Sequence, residues 1–540
     1  MKRPYRVLFS NDTTNILTCR SPYNEQGGFA LDSETGKLIY RPCAFDAGKL
    51  EATVNETAGR GIDAHILQPG VGWVPLWKSQ HYPFAKHIEF MKEQTGMGPE
   101  ADPYAAYMAT GGDMVEVFVR ICRKRGLAPI VSLRLNDGHG HEFITYERKD
   151  IPSWAWICFS PVHVQHPEWR MSQDLSLENW DNRVLNWAIP EVVAHKLAFI
   201  EEIIASYDID GFELDFMRHC KFFRDDGPPV TERRRIMNAF VGRVRAALDR
   251  REARDGRYRF LCVRISAFLA AHEPMGINVT EFADAGVDMF NLSYYYFAGQ
   301  QGDLAAIRAL SPDASIYVEM CHCTSLAPIP AVASGYDNFQ FRRTTPHQYY
   351  TTAHLAYARG LQGVSTFNFV YYREHGIGDR GPFHEPPFEI HRGCADPAFV
   401  GRQPQHYFIG QPWPTPSQGR YPFGDYAYRA FTPGKPVAFE IDMAPPAGGW
   451  KTVGRLRIQS PESLGNSPWK AVMNGRALTE TPDRSEPYDN PYPSLLGTAE
   501  QHRAWVVPAD ILKDGVNTVD ITLRTGDKPV AVVFLDVAVS

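Results

Sequence analysis

Two patterns in the sequence predict an α/β protein, a (β/α)8 TIM barrel followed by a C-terminal antiparallel β-sandwich. Over residues 1–400, eight short apolar runs alternate with amphipathic helical segments, the mark of βαβ units and a parallel sheet. Over residues 401–540, helical periodicity fades, proline and glycine become frequent, and alternating strand patterns take over. A chain of 540 residues is too long for one ordinary core and long enough for a large barrel with a smaller jelly-roll-like accessory domain.

The strand-like runs are Arg6–Ser10, Ala64–Gln68, Pro129–Asn136, Gly211–Phe216, Phe260–Phe268, Met289–Tyr296, Ser315–Cys321 and Gly363–Phe369. Helices are predicted at Met114–Arg125, Pro190–Ser206, Glu232–Arg251 and Pro346–Arg359, where apolar residues recur at helical spacing. Pro190 opens one of them; Gly126 and Gly360 follow two others, the expected start and stop signals. Beyond Gln411-Pro412-Trp413-Pro414, strands are predicted at Val437–Ile441, Val453–Ile458, Ala504–Val507, Thr518–Leu523 and Val530–Val539. Asn474-Gly475 and Asp514-Gly515 are turn signals between them.

Composition excludes several classes. A net charge of −6 with no basic accumulation argues against nucleic acid and anionic membranes as partners. No apolar run is long enough to span a bilayer. The start, Met1 to Phe9, lacks a signal peptide's apolar stretch, so a cytoplasmic protein is expected, or a secreted or periplasmic one whose leader has been removed. Nine irregularly spaced cysteines argue against a disulfide framework. Cys321-His322-Cys323 offers metal donors, but no second cluster completes a tetrahedral set, so neither a metal nor any other cofactor is expected. Aromatic residues make up 12% of the chain; such faces stack on sugar rings but also fill large cores.

Barrel strands send alternate side chains to the axis and to the helices. The apolar set must meet the helices, which leaves an unusually polar axis: Ser132, Arg134 and Asn136; Glu213 and Asp215; Arg264 and Ser266; Asn291 and Ser293; Tyr317, Glu319 and Cys321; Thr366 and Asn368. Buried charge is costly unless paired, so such an axis implies an ion network, an active site, or one above the other. Arg134, Glu213 and Arg264 are expected to form the network. Asp215, nearer the carboxyl end of its strand, and Glu319 across the barrel are the catalytic candidates, because two facing carboxylates are the minimal equipment for glycoside cleavage. Arg218 is expected to hold Asp215 ionised or to grip a substrate anion, and Glu319 to keep a less charged setting suited to an acid. The substrate-binding candidates are Arg218, Glu213, Asn136, Asp137, His139, Asn291, Tyr294, Trp73 and Asn11, most of them in or beside loops that follow the strands.

The segment from Pro190-Glu191-Val192 through Asp210-Gly211 to Leu214-Asp215-Phe216-Met217-Arg218, preceded by Leu185-Asn186-Trp187-Ala188, resembles glycosyl-hydrolase-like family 10 barrels across roughly residues 165–220. The resemblance implies a barrel hydrolase acting on saccharides, with Asp210, Gly211, Asp215 and Arg218 as signature positions. Glu213 and His219 depart from the family's usual histidine and aromatic residue. A chitinase-type, substrate-assisted reading is disfavoured because its closing acid falls on Met217.

The expected function is therefore a glycoside hydrolase of oligo- or polysaccharides, with Asp215 as nucleophile or base and Glu319 as acid/base. A polysaccharide lyase using His139, Tyr294 and Arg218, or a non-catalytic saccharide-binding barrel, remain the alternatives. The C-terminal sandwich is expected to pack on the barrel or to assist formation of a homo-oligomer.

Overall fold

The computed structural model describes residues 5–21, 29–36, 38–40, 43–175, 183–294, 297, 299–326, 341–376, 384–410, 429–491 and 496–540. Eight parallel strands close a barrel: β1 Val7–Asp12, β2 Ala64–Gln68, β3 Ala128–Arg134, β4 Gly211–Asp215, β5 Phe260–Ser266, β6 Met289–Ser293, β7 Ser315–Cys321 and β8 Gly363–Phe367, with β8 beside β1. The sequence places all eight to within a few residues. Tyr295 and Tyr296 of the expected sixth run lie outside the described residues.

Helices predicted from periodicity form where their caps allow. Asp113 accepts the Glu116 N–H at the start of Met114–Arg125, and Gly126, at φ 71°, ends it in the left-handed region. Pro190 opens Pro190–Ser206, and Thr345 with Gln348 forms a capping box at the start of Pro346–Ala358. The helix expected at 232–251 runs longer, Val230–Asp255. No helix among the described residues is long and apolar enough to cross a membrane.

Strand pairing orders the axis into layers. A barrel of this shear takes each layer's four side chains from alternate strands. Register therefore stacks, from the bottom, Leu8, Ile130, Cys262 and Tyr317; then Ile66, Glu213, Asn291 and Ser365; then Ser10, Ser132, Arg264 and Glu319; then Gln68, Asp215, Ser293 and Phe367; and Asp12, Arg134, Ser266 and Cys321 at the mouth. The bottom is apolar and packs as its own cluster with Ala64, Ile66 and Met289. Polarity begins at the second layer.

The expected phase of the eighth strand is corrected here. Ser365 pairs with Glu319 and shares its face, so Ser365 and Phe367 point inward, and the Arg264 guanidinium lies over the Phe367 ring at 4.2 Å. Thr366 turns outward to His391, and Asn368 lies beyond the strand. A polar axis admits an aromatic ring when a cation covers its face.

The C-terminal region forms antiparallel sheets. One orders Gln405–Ile409, Phe534–Val539, Gly454–Gln459, His502–Val507 and Thr479–Thr481; another orders Pro436–Met443, Gly515–Leu523, Trp469–Met473 and Arg476–Ala477; Arg429–Phe431 pairs with Val530–Val532. Their inner faces share an apolar core. The barrel core cluster also takes in Phe408, Ala444 and Phe534 from this region.

Candidate active site

The polar upper layers gather around Arg264. Its Nη1 donates to Asp215 Oδ1 at 2.9 Å, while Nε and Nη2 hold the two oxygens of Glu319, Nη2 at 2.6 Å. Ser293 donates to Glu319 at 2.6 Å, and Gln68 Nε2 and the Met217 N–H donate to Asp215, each at 2.8 Å. Asp215, Arg264 and Glu319 are 1%, 3% and 4% exposed. Burial disfavours the charge on Arg264, but Asp215 and Glu319 outweigh it and hold the guanidinium firmly protonated. One planar fork thus clamps two carboxylates from opposite sides of the barrel.

A second cluster forms the mouth. Arg134 pairs with Asp12 and, at 3.1 Å, with Asp137; its Nε donates to Gln68, which links the two clusters. Burial pushes Asp12 up, yet Arg134, the hydrogen bonds from Thr14 and the charge on Arg218 together outweigh it and hold the carboxyl below its ordinary range. Asp137 is held well below its own: burial works against the charge, but His139 and Arg134 overcome it. His139 is 19% exposed at the side chain; its Nε2 lies 2.8 Å from Arg218 Nη2, which can only donate. Nδ1 therefore carries the hydrogen and donates to Asp137 at 2.7 Å. Burial holds the imidazole down and hence neutral.

This geometry corrects three expectations. Glu213 pairs with neither Arg134 nor Arg264; it lies two residues deeper than Asp215 and accepts from Asn291 and the Cys262 thiol. The guanidinium on Asp215 is that of Arg264, because Arg218 sits beyond the strand with His139. Glu319 has no sparsely charged setting, since the same arginine binds both its oxygens.

The expected substrate-binding residues separate into groups. Arg218 and His139 reach the partly exposed mouth. Asp137 is buried behind them. Asn136 ties two loops together, donating to the Leu185 and Lys221 carbonyls. Trp73 is buried, donates to the Asp137 carbonyl and has the Lys196 ammonium 3.7 Å above its ring, which leaves that face no room for a sugar. Tyr294 is buried and donates to the Gln300 carbonyl. Asn11 belongs to β1 itself and points outward, with Val7 and Phe9, and Asn291 lies in the Glu213 layer. Asp12, expected with Ser10 and Asn11 as a loop candidate after the first strand, is the last residue of β1 and pairs with Arg134; Gln68 has no such reading in the sequence, its signal being an amide at the carboxyl end of a strand whose lower positions are apolar.

Cys321, His322 and Cys323 are the described residues that bring metal-type donors together: all three are buried, with ligand atoms within 4.8 Å of one another. They supply three donors at the end of β7.

No family model and no curated protein matches the chain, so the family 10 resemblance rests on its quoted residues. Solved structures do match. A cycloisomaltooligosaccharide glucanotransferase from Paenibacillus sp. is 11% identical over 98% of this chain and 57% of its own, at a TM-score of 0.33. A GH36 alpha-galactosidase from Geobacillus stearothermophilus is 11% identical over 100% and 56%, at 0.35. A Group IV chitinase from Ostrinia furnacalis is 10% identical over 71% and 97%, at 0.37. The chain thus spans little more than half the length of the first and second of these. Likenesses this distant carry no argument about chemistry, which rests on the site alone.

Proposed function

We propose that the protein is a glycoside hydrolase whose reacting groups are Asp215 and Glu319. The observation that carries this reading is the clamp itself: two buried carboxylates, at the end of the barrel where such folds keep their sites, share one guanidinium. Asp215 serves as nucleophile or base. Glu319, which accepts from Arg264 on both oxygens, can protonate the leaving oxygen only after those bonds loosen and it has taken a proton from solvent, so substrate entry and release of the clamp go together.

Asp215→Asn is expected to fold and bind saccharide but to lose at least about a thousandfold in turnover, roughly 4 kcal/mol of barrier. Glu319→Gln should lose most on poor leaving groups and least on activated aryl glycosides. A screen of plant and algal oligosaccharides supplies the substrate. If both variants turn it over at wild-type rates, the reading fails.

A second reading has its own observation. The neutral His139, oriented by Asp137, becomes a base once Arg218 turns from its Nε2 to a substrate carboxylate, which places a base next to a charge neutraliser as a polysaccharide lyase requires. Absorbance from a new double bond in the product separates it from hydrolysis.

A further inference from the structure

Glu213 is wholly buried in the layer beneath the clamp, and its surroundings are unusual for a carboxyl. Oε2 accepts from Asn291 Nδ2 at 3.2 Å and from the Cys262 thiol at 3.5 Å, while Oε1 meets no well-aligned donor among the described residues, though the Ser132 hydroxyl lies near enough to favour the charged form. The oxygens of Ser10, Asn291 and Ser365, equally buried in this layer and the next, also meet none. Among the described residues no cation forms an ion pair with Glu213; the Arg264 charge acts on it only from a distance, its fork being committed to Asp215, Glu319 and Ser293. The charged or titratable groups around Glu213 are Asp215 on its own strand, Cys262 and Arg264 on β5, and Glu319 on β7. Two carboxylates and one guanidinium already leave an excess negative charge there. A further ion without a partner would be costly in such a place.

We propose that Glu213 is a neutral positioning residue: it keeps its proton within a hydrated layer formed with Ser10, Asn291 and Ser365, and by staying uncharged it leaves Arg264 to hold Asp215 and Glu319. The O–H of a protonated carboxyl adds a donor for the Asn291 Oδ1 to those the two serine hydroxyls carry, directly or across ordered water. Burial first, and then the Asp215 carboxylate, push Glu213 up to about 7, in keeping with this role. Once ionised, Glu213 competes for Arg264 and loosens the clamp before substrate arrives, so that Asp215 and Glu319 lose their placing. The role in positioning rests on Asp215 and Glu319 being the reacting pair; the proton on Glu213 does not.

The test is therefore made in two parts on the full chain. Infrared spectra of protein labelled with carbon-13 glutamate should show the carbonyl band of a protonated glutamic acid, fading as pH rises through about 7 and absent from Glu213→Gln. Lack of the band in the wild type, or its survival in the variant, overturns the proposal whether or not a substrate is known. In the pH profile of kcat/KM, Glu213→Gln should move the alkaline limb upward by at least about one pH unit, whatever the rate at the optimum. Glu213→Ala, which removes the donor, should lower kcat at least about tenfold. An alkaline limb unmoved in Glu213→Gln overturns the positioning role even if the infrared band behaves as expected. Failure of the hydrolase reading would instead appear as wild-type turnover in Asp215→Asn.

Discussion

At the scale of single residues, Arg264 holds the most. Removing it with Arg264→Met leaves two buried carboxylates without their cation and should cost about 3–5 kcal/mol, read from denaturant unfolding. Arg264→Lys keeps the charge but lacks the fork, so it should recover only part of that loss. Glu213 sets a pH dependence of stability. Its folded value lies near 7, above the ordinary 4.5. Between those values the unfolded chain gives up the proton while the folded chain keeps it, so stability should fall as pH rises across that window and level off above it. Glu213→Gln lacks this decline. The difference in unfolding free energy between variant and wild type should shift toward the variant from pH 4.5 to 7, and a constant difference would refute the linkage.

Among the elements, the loop after β2 packs closely against the mouth. Gly72 sits at φ 101°, and a Cβ there would lie 2.5 Å from the Asp137 Cβ. Gly72→Ala is therefore strained twice, in backbone and in contact, at a cost of about 1–3 kcal/mol. It should also move Asp137 off Arg134 and His139, so that turnover falls more than binding does; kcat and KM measured separately check this. Beneath the loop, Lys196 donates to the Gly72 and Arg134 carbonyls, and burial pushes its ammonium down to about 7.

Across the whole molecule, the C-terminal sheets meet the barrel through a buried polar network. Arg342 from the barrel side reaches Glu486 and Gln459; Arg457 binds Glu486 and Asp536; His406 closes on Asp536. Burial disfavours the charge on Glu486, but Arg342 and Arg457 outweigh it and hold the carboxyl down at about 2. A lowered carboxyl contributes stability above its unfolded value, and that contribution is lost as pH falls from about 4.5 toward 2. Glu486→Gln should flatten the acid limb of the melting curve in that range. The division of the chain at about residue 400 is tested by truncation. Phe408 and Phe534 stack on each other and belong to the barrel's core cluster, so a chain ending near residue 404 should melt lower than the whole protein or fail to stay soluble. An unchanged melting temperature would make the barrel an independent unit.

The sequence alone determined the eight barrel strands, the alternation that makes their axis polar, and the placing of Asp215 and Glu319 toward its upper end. Those features follow from period-two and period-3.6 patterns, which are local and can be read from neighbouring residues. It also separated the barrel's βαβ texture from the antiparallel texture beyond residue 400. What only the tertiary structure decided is which charge meets which. Arg134, Glu213 and Arg264 share an inward face, but the stagger between strands sets them at different heights, so that Arg264 reaches Asp215 and Glu319 while Arg134 reaches Asp12 and Asp137. The phase of β8 is set the same way. Its composition favoured Thr366 on the axis, while pairing of Ser365 with Glu319 put Phe367 there, under Arg264. Register and shear are properties of the closed barrel, and no window of sequence contains them.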